Sequence, residues 1–140
     1  MKKTLKVSGL ATALCAGAII GMTALAADVK VKLTGAEETP PVTTSAAAAG
    51  TIVVGDDKSV RGTVKSTGIE GTVAHIHTGA KGKAGPPIIT LEQGPDGTWV
   101  VPAGSKLTDE QYAAFKAGDL YVNIHSDAHK AGEIRGQMKP

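Results

Sequence analysis

Short runs rich in β-branched residues, separated by turn-forming residues, recur along most of this chain. Regular alternation of such runs with Gly, Pro and Asp is typical of an all-β sandwich or barrel. Asp56-Asp57-Lys58 and Pro95-Asp96-Gly97 indicate two hairpin turns. We therefore predict an all-β fold, an antiparallel β-sandwich or Greek-key barrel of about eight strands. The predicted strands lie near residues 28–34, 49–55, 59–66, 72–77, 87–92, 97–101, 120–125 and 132–138.

One segment departs from this β pattern. Thr108-Asp109-Glu110-Gln111 has the form of a helix capping box, Tyr112 and Phe115 are spaced to share one helix face, and Gly118 is placed to end the helix. These residues predict a short helix near 109–117 that covers one end or edge of the sheet. The low-complexity residues 45–49 are interpreted as a loose connector.

The N-terminal segment has the pattern of a cleavable signal peptide. Lys2, Lys3 and Lys6 precede a run of apolar and small residues, and Ala24-Leu25-Ala26 forms a small-x-small cleavage site. The apolar run is marginal in length for a bilayer span. We therefore predict a signal peptide over residues 1–26, a domain over residues 27–140, no stable membrane span after cleavage, and a periplasmic or secreted location.

The charge of the predicted mature domain argues against nucleic acid as a partner. Cleavage removes three lysines and no acid, so 12 basic and 13 acidic residues remain. Nucleic-acid binding needs a clustered basic face and uses aromatic platforms for base stacking, and aromatic residues make up only 3% of the chain. Cleavage also removes Cys15, so disulfides cannot stabilise the domain.

A histidine-rich strand is the strongest candidate site. Side chains alternate between the two faces of a strand, so if Ala74 and Ile76 face the core, His75 and His77 share the opposite face. The same alternation in two later strands directs further polar side chains outward. These residues are Asn123, His125, Glu133, Arg135 and Gln137.

If these strands are neighbours in the sheet, the polar side chains form one surface cluster that suits a transition metal. Imidazole is a common ligand of copper and zinc, and three ligands, His75, His77 and His125, leave a fourth position open. Glu133, Arg135, Gln137 and Asn123 are then expected around the ligands, with Glu133 and Gln137 as acceptors that orient the rings. The alternative is that the histidines are only solvated side chains.

The remaining polar motifs are assigned structural roles. The glycine-rich segment 78–85 lacks the Gly-Lys-Ser/Thr ending of a phosphate-binding loop and is interpreted as a flexible loop. Glu37 and Glu38 are expected to be solvated or paired with a distant Lys, and His129 to be solvated in a turn. Ser126 lacks the Gly-x-Ser-x-Gly context of a hydrolase nucleophile, which argues against serine catalysis.

Four segments of the chain, in this order, carry a further pattern. The segments are Leu33-x-Gly35-x-Glu37-Glu38-x-Pro40-Pro41-Val42, Ala74-His75-Ile76-His77-x-Gly79-x-x-Gly82-x-x-Gly85-Pro86, Gly118-x-x-Tyr121-Val122-Asn123-Ile124-His125 and Gly132-Glu133-Ile134-Arg135-Gly136-Gln137. Together they resemble the CHRD domain, a domain named for its occurrence in chordin and also found in exported bacterial proteins. The resemblance implies an all-β extracytoplasmic domain without an established catalytic mechanism; in chordin, such domains belong to a growth-factor-binding protein. Ser126 and Lys130 depart from the usual residues of the family, in a loop.

The histidine pattern is also similar, more loosely, to copper-zinc superoxide dismutase, whose zinc loop and cysteine pair are not found here. Our leading hypothesis is an exported non-catalytic domain that binds copper or zinc through the three histidines. The alternatives are an interaction or adhesion module for a protein or surface polymer, and a dismutase-like copper enzyme. The expected partners are thus a metal ion or an extracytoplasmic protein.

Overall fold

The strands of this chain pair in a single antiparallel sheet that curls into a nearly closed barrel. The computed structural model describes residues 25–140, so the predicted signal peptide lies outside the described residues except for Leu25 and Ala26. The strands are β1 (Ala26–Thr34), β2 (Ala47–Gly55), β3 (Val60–Thr67), β4 (Gly71–Thr78), β5 (Pro87–Thr90), β6 (Glu92–Gln93), β7 (Thr98–Val100), β8 (Leu120–Ser126) and β9 (Ile134–Met138).

The barrel closes through one continuous segment of chain. The strand order is β5-β4-β8-β9-β1-β2-β3-β7-β6, so β5 and β6 lie at the two ends of the sheet. These two strands are consecutive in sequence, and the Leu91 N–H between them donates to the Ala74 carbonyl at 2.9 Å. Residues 87–93 therefore pair with β4 on one side and β7 on the other, and join the sheet's two edges. The predicted all-β class is confirmed, in its barrel form.

The interior of the barrel follows the predicted alternation of side chains. Every second residue of each long strand points into the hydrophobic core, and the polar residues between them point outward. The apolar residues that alternate with the candidate site residues, and that were predicted to face the core, are all fully buried. They are Ala74, Ile76, Val122, Ile124, Ile134 and Met138.

Glycines allow neighbouring strands to approach closely at two positions. A Cβ at Gly50 would lie 2.0 Å from the Thr63 carbonyl oxygen, and one at Gly136 would lie 2.4 Å from that of Lys32. Glycine inside a strand commonly marks a close backbone approach. These glycines therefore allow the paired strands to lie together without a side chain between them.

The predicted helix is confirmed as α1 (Asp109–Ala117). Thr108 Oγ1 accepts from the Gln111 N–H at 3.1 Å, while Gln111 Oε1 accepts from the Thr108 N–H at 2.9 Å, which completes the capping box. Gly118 adopts a left-handed conformation with φ of 80° and ends the helix. Phe115 anchors α1 in the hydrophobic core.

Three sequence-based boundaries were wrong. The alanine-rich residues predicted to be a connector belong to β2 from Ala47 onward, because pairing with β1 on one side and β3 on the other overrides the low strand propensity of alanine. The strand predicted over 87–92 divides into β5 and β6, and β9 begins at Ile134 rather than at residue 132. Within residues 25–140, no helix has the length and apolarity needed to cross a membrane.

Candidate metal centre

The three polar-faced strands are neighbours, in the order β4, β8, β9. His75 on β4 lies opposite Asn123 on β8, and Asn123 lies opposite Arg135 on β9. His125 pairs with Val73, so it is a diagonal neighbour of His75. The adjacency that the sequence left as an assumption is therefore present in the fold.

The sheet brings three histidines together in one cluster, His75, His77 and His125. One ring nitrogen of each lies within 4.8 Å of the others, and His75 Nδ1 is 3.1 Å from His125 Nε2. Two nitrogens of a tetrahedral zinc site are about 3.3 Å apart when each Zn–N bond is about 2.05 Å. The His75–His125 pair thus already has the spacing of two ligands, whereas ring nitrogens as far apart as 4.8 Å would have to approach by roughly 1.5 Å to share one ion.

Main-chain carbonyls orient two of the three rings. His77 Nδ1 donates to the Gly85 carbonyl at 2.8 Å, and His125 Nδ1 donates to the Lys130 carbonyl at 2.8 Å. A carbonyl only accepts, so the proton of each neutral ring is on Nδ1 and the lone pair is on Nε2. Both Nε2 atoms are therefore in the form that a metal requires.

The His77 Nε2 atom is the most exceptional atom of the cluster. The His77 side chain is only 7% exposed, and its Nε2 has no hydrogen-bond partner among the described residues. A buried acceptor without a partner loses the hydrogen bonds that water would provide. A cation among the three rings would satisfy this lone pair.

His75 needs a proton rearrangement before it can act as a ligand through Nδ1. Because His125 Nε2 is an acceptor in the neutral ring, His75 Nδ1 carries the proton of the bond between them. Ligation through Nδ1 requires this proton to leave or to move to Nε2. The metal would then replace a hydrogen bond between the two rings.

The polar face is not the open surface that the sequence predicted. His77 and Arg135 are nearly inaccessible and both bind residues 79–86, here called the glycine loop. Asn123 is also nearly inaccessible and lies against Glu38. Arg135 holds this loop through Nη1 to the Lys83 carbonyl at 2.8 Å and Nη2 to the Ala80 carbonyl at 2.9 Å. The loop predicted to be flexible is thus tied to the sheet at several points.

Tyr121 belongs to this face and was not assigned to it from the sequence. Its ring stacks on His77 with centroids 4.8 Å apart, and the Arg135 guanidinium lies 3.5 Å from its centroid. Its hydroxyl also accepts from the Gly85 N–H at 3.2 Å. The same alternation that selected Asn123 and His125 would have placed Tyr121 on this face.

The other polar residues expected around the ligands bind different partners. Glu133 accepts from Thr44 Oγ1 at 2.7 Å and from the Ser126 hydroxyl, while Gln137 Nε2 donates to the Gly79 carbonyl at 2.7 Å. Neither residue accepts from a histidine in the described part of the chain, where backbone carbonyls take that role. Glu133 and Gln137 therefore secure the surrounding loops.

The two loop acids differ in their surroundings. Glu37 lies 3.5 Å from the Lys81 ammonium, as the ion-pair alternative predicted. Glu38 is only 7% exposed and lies 3.5 Å from Asn123 Nδ2, so the expectation that it is solvated was wrong. Burial raises the pKa of Glu38, against the opposing effect of its hydrogen bonds. His129 lies in the turn after β8, outside the cluster.

Burial favours the neutral form of two histidines. Burial lowers the pKa of His75, and the His125 and His77 rings lower it further. Burial also lowers the pKa of His77, although its bond to the Gly85 carbonyl opposes this shift. Both rings therefore resist protonation more strongly than a solvated histidine does.

This resistance predicts how the stability of the metal-free protein depends on pH. The unfolded chain takes up protons at its histidines below a pH of about 6.5, whereas His75 and His77 in the folded state do so only at lower pH. Stability should therefore be full above about pH 6.5 and fall as the pH drops through the folded-state pKa values. Thermal melts in chelator should show this fall.

A His77→Asn variant is the control, because asparagine retains a donor near the position of Nδ1 but does not titrate. Its melting temperature should decrease less between about pH 6.5 and pH 5. An equally steep decrease in the variant and the parent would contradict a contribution from His77.

Comparison with known proteins identifies the family. The CHRD domain family matches residues 29–138, which includes all three clustered histidines and every strand except the first residues of β1. No curated protein and no solved structure matches the chain significantly. CHRD domains are typically extracellular, and membership supports a non-catalytic role. The chain belongs to the CHRD domain family.

Proposed function

We propose that this CHRD domain binds one transition-metal ion, copper or zinc, through His75, His77 and His125, without catalysing a reaction. The observation that carries the proposal is the convergence within 4.8 Å of one ring nitrogen from each of three histidines, beside a buried His77 Nε2 that has no partner among the described residues. The predicted export signal is consistent with a periplasmic or secreted metal-binding protein.

The donor set supports a borderline or soft divalent ion. Neutral imidazole suits zinc and copper, whereas magnesium and calcium prefer oxygen ligands. Three histidines leave a fourth position for water or another small ligand. The bonds from His77 and His125 to backbone carbonyls would hold two ligands in place before the ion arrives.

The test is a titration of the chelator-treated protein with zinc and with copper. We expect saturable binding of one ion per chain. An ion present at about 100 times its Kd should stabilise the protein by about 2.7 kcal/mol, which corresponds to a rise in Tm of about 10 °C. Removal of the ion by chelator should reverse this rise.

Variants of single histidines locate the site. His75→Ala, His77→Ala and His125→Ala should each lower the affinity by more than the roughly 10- to 100-fold that loss of an outer partner costs. His129→Ala is the matched control, since His129 is the one described histidine outside the cluster, and it should leave the affinity unchanged. Equal affinity in all four variants would refute the proposal.

The test also separates the proposal from the alternatives. Metal binding without superoxide turnover supports a non-catalytic domain, whereas turnover by the copper-loaded protein would overturn the non-catalytic part. Absence of saturable binding would favour an interaction module without metal. Since the ligands must be deprotonated, affinity should also fall as the pH is lowered through the histidine range, about pH 6.5 and below.

A further inference from the structure

A trough lies on the outer face of the barrel, away from the histidine cluster, where β2 crosses between β1 and β3. Its floor consists of short side chains on β2, Ala47, Ala49 and Thr51. Its volume is about 690 Å³. The alanine-rich run that the sequence indicated to be a connector thus provides the floor of a groove.

Lysines form both walls of this trough. Lys32 on β1, Ala49 on β2 and Lys65 on β3 share one register position, so the lysines lie two strand spacings apart, about 9.6 Å at the backbone. Lys30 lies two residues along β1, about 6.8 Å from Lys32. We call the groove bounded by Lys30, Lys32 and Lys65 the lysine trough.

The charge of the lysine trough is not balanced locally. Among the described residues that line it, none is Asp or Glu, although the predicted mature domain carries one more acid than base. A second depression shares Lys30 and Lys32 with the trough and adds Lys81 and Lys139, with Glu37 as its single acid. Positive charge therefore continues along the surface beyond the trough.

The form of the trough selects among anionic partners. An added peptide strand would need unpaired backbone, but β2 is paired on both sides. Single-stranded nucleic acid stacks on aromatic side chains, and the described lining residues include none. A membrane would favour apolar residues able to insert, but the one exposed large hydrophobic residue within residues 25–140 is Leu25.

A linear anionic polysaccharide meets these conditions. Its carboxylate, sulfate or phosphate groups would pair with the lysines along the walls, and the small floor would accept the sugar rings. The Thr51 hydroxyl, which accepts from Lys30 Nζ at 2.9 Å, adds a polar group at the floor. We propose that the lysine trough binds an extended anionic polysaccharide, independently of the metal site.

The test measures binding of the purified protein to polygalacturonate, a linear polyuronate, in the presence of chelator so that metal plays no part. We expect saturable binding at low salt that weakens as salt is added, and no binding to neutral dextran. The double variant Lys32→Gln/Lys65→Gln should lower the affinity by about tenfold or more. Absence of binding to polygalacturonate would overturn the proposal.

Two further variants separate the trough from net charge. Lys106→Gln/Lys130→Gln removes the same charge outside the trough and should change the affinity by less than about twofold. Ala49→Phe retains every lysine but fills the floor, so it should also reduce binding by about tenfold. Melting curves of each variant establish that the fold is retained.

Three further results would overturn the proposal. The first is an equal loss of affinity in the two double lysine variants, which would indicate a non-specific effect of net charge. The second is unchanged binding by Ala49→Phe. The third is tighter binding to polyglutamate, poly(dT) or anionic vesicles than to polygalacturonate, because the partner would then be a different class of molecule.

Discussion

An Arg135→Met variant is expected to lose about 3 kcal/mol of stability and most of its metal affinity. Arg135 is 2% exposed, donates to the Ala80 and Lys83 carbonyls, and lies against the Tyr121 ring. Methionine retains the apolar stem but none of the donors, and hydrogen bonds from a charged group contribute about 1.5–3 kcal/mol each. Part of the loss is offset because the freed carbonyls can reach water if the loop opens.

Opening of the glycine loop would link this destabilisation to the metal site. The loop supplies the Gly85 carbonyl that orients His77, and loss of such an outer partner typically lowers metal affinity by about 10- to 100-fold. Trypsin should also cut faster at Lys81 and Lys83, which lie within the loop. Denaturant unfolding, zinc titration and proteolysis measure the three effects.

The matched control is Arg61→Met, because Arg61 lies exposed on the outer face of β3. Its stability should change by less than about 0.5 kcal/mol. If Arg135→Met lowered the stability no more than Arg61→Met, and if trypsin cleaved it no faster than the parent protein, Arg135 would not be the residue that holds the glycine loop.

A Gly50→Ala variant is expected to be among the most destabilised single substitutions in the barrel, by about 4 kcal/mol. The added Cβ would lie 2.0 Å from the Thr63 carbonyl oxygen and 2.7 Å from the Val64 Cα. Both atoms belong to the backbone of β3, so a rotamer change cannot relieve the overlap. The two strands would have to separate, which disrupts the hydrogen-bonded ladder between β2 and β3.

Gly104→Ala distinguishes this overlap from the general cost of replacing glycine. Gly104 has φ of 80° and no atom within 4 Å of an added Cβ, so only the left-handed backbone opposes alanine, at about 1–2 kcal/mol. Urea unfolding of both variants gives the comparison. A Gly50→Ala variant no less stable than Gly104→Ala would mean that β2 and β3 separate without cost.

Local patterns predicted much of the fold correctly. The alternation in β4, β8 and β9 identified which side chains enter the core, because a strand places successive residues on opposite faces whatever its neighbours are. The capping box at Thr108 and the glycine at 118 predicted α1 for a similar reason, since these signals act within a few residues. The alanine run was misassigned because its strand state depends on pairing with β1 and β3.

The candidate site was predicted only in part. The spacing of His75 and His77 in one strand, with His125 in another, indicated a shared face but not that β4 and β8 are adjacent. The burial of Arg135 and Glu38 was missed, because it depends on two segments distant in sequence that fold over the sheet. The alternation of side chains in β8 would by itself have placed Tyr121 on the polar face, so leaving Tyr121 out was an error of interpretation.

The sequence by itself determined the β class, the helix, the core positions and the three histidines that share a face, because each follows from periodicity or from contacts within a few residues. Only the tertiary structure decided that β4, β8 and β9 are neighbours, that the glycine loop covers the polar face, and that lysines of β1 and β3 align across β2. These features arise from pairings between distant segments. Their stability depends on the whole barrel closing, which no local pattern specifies.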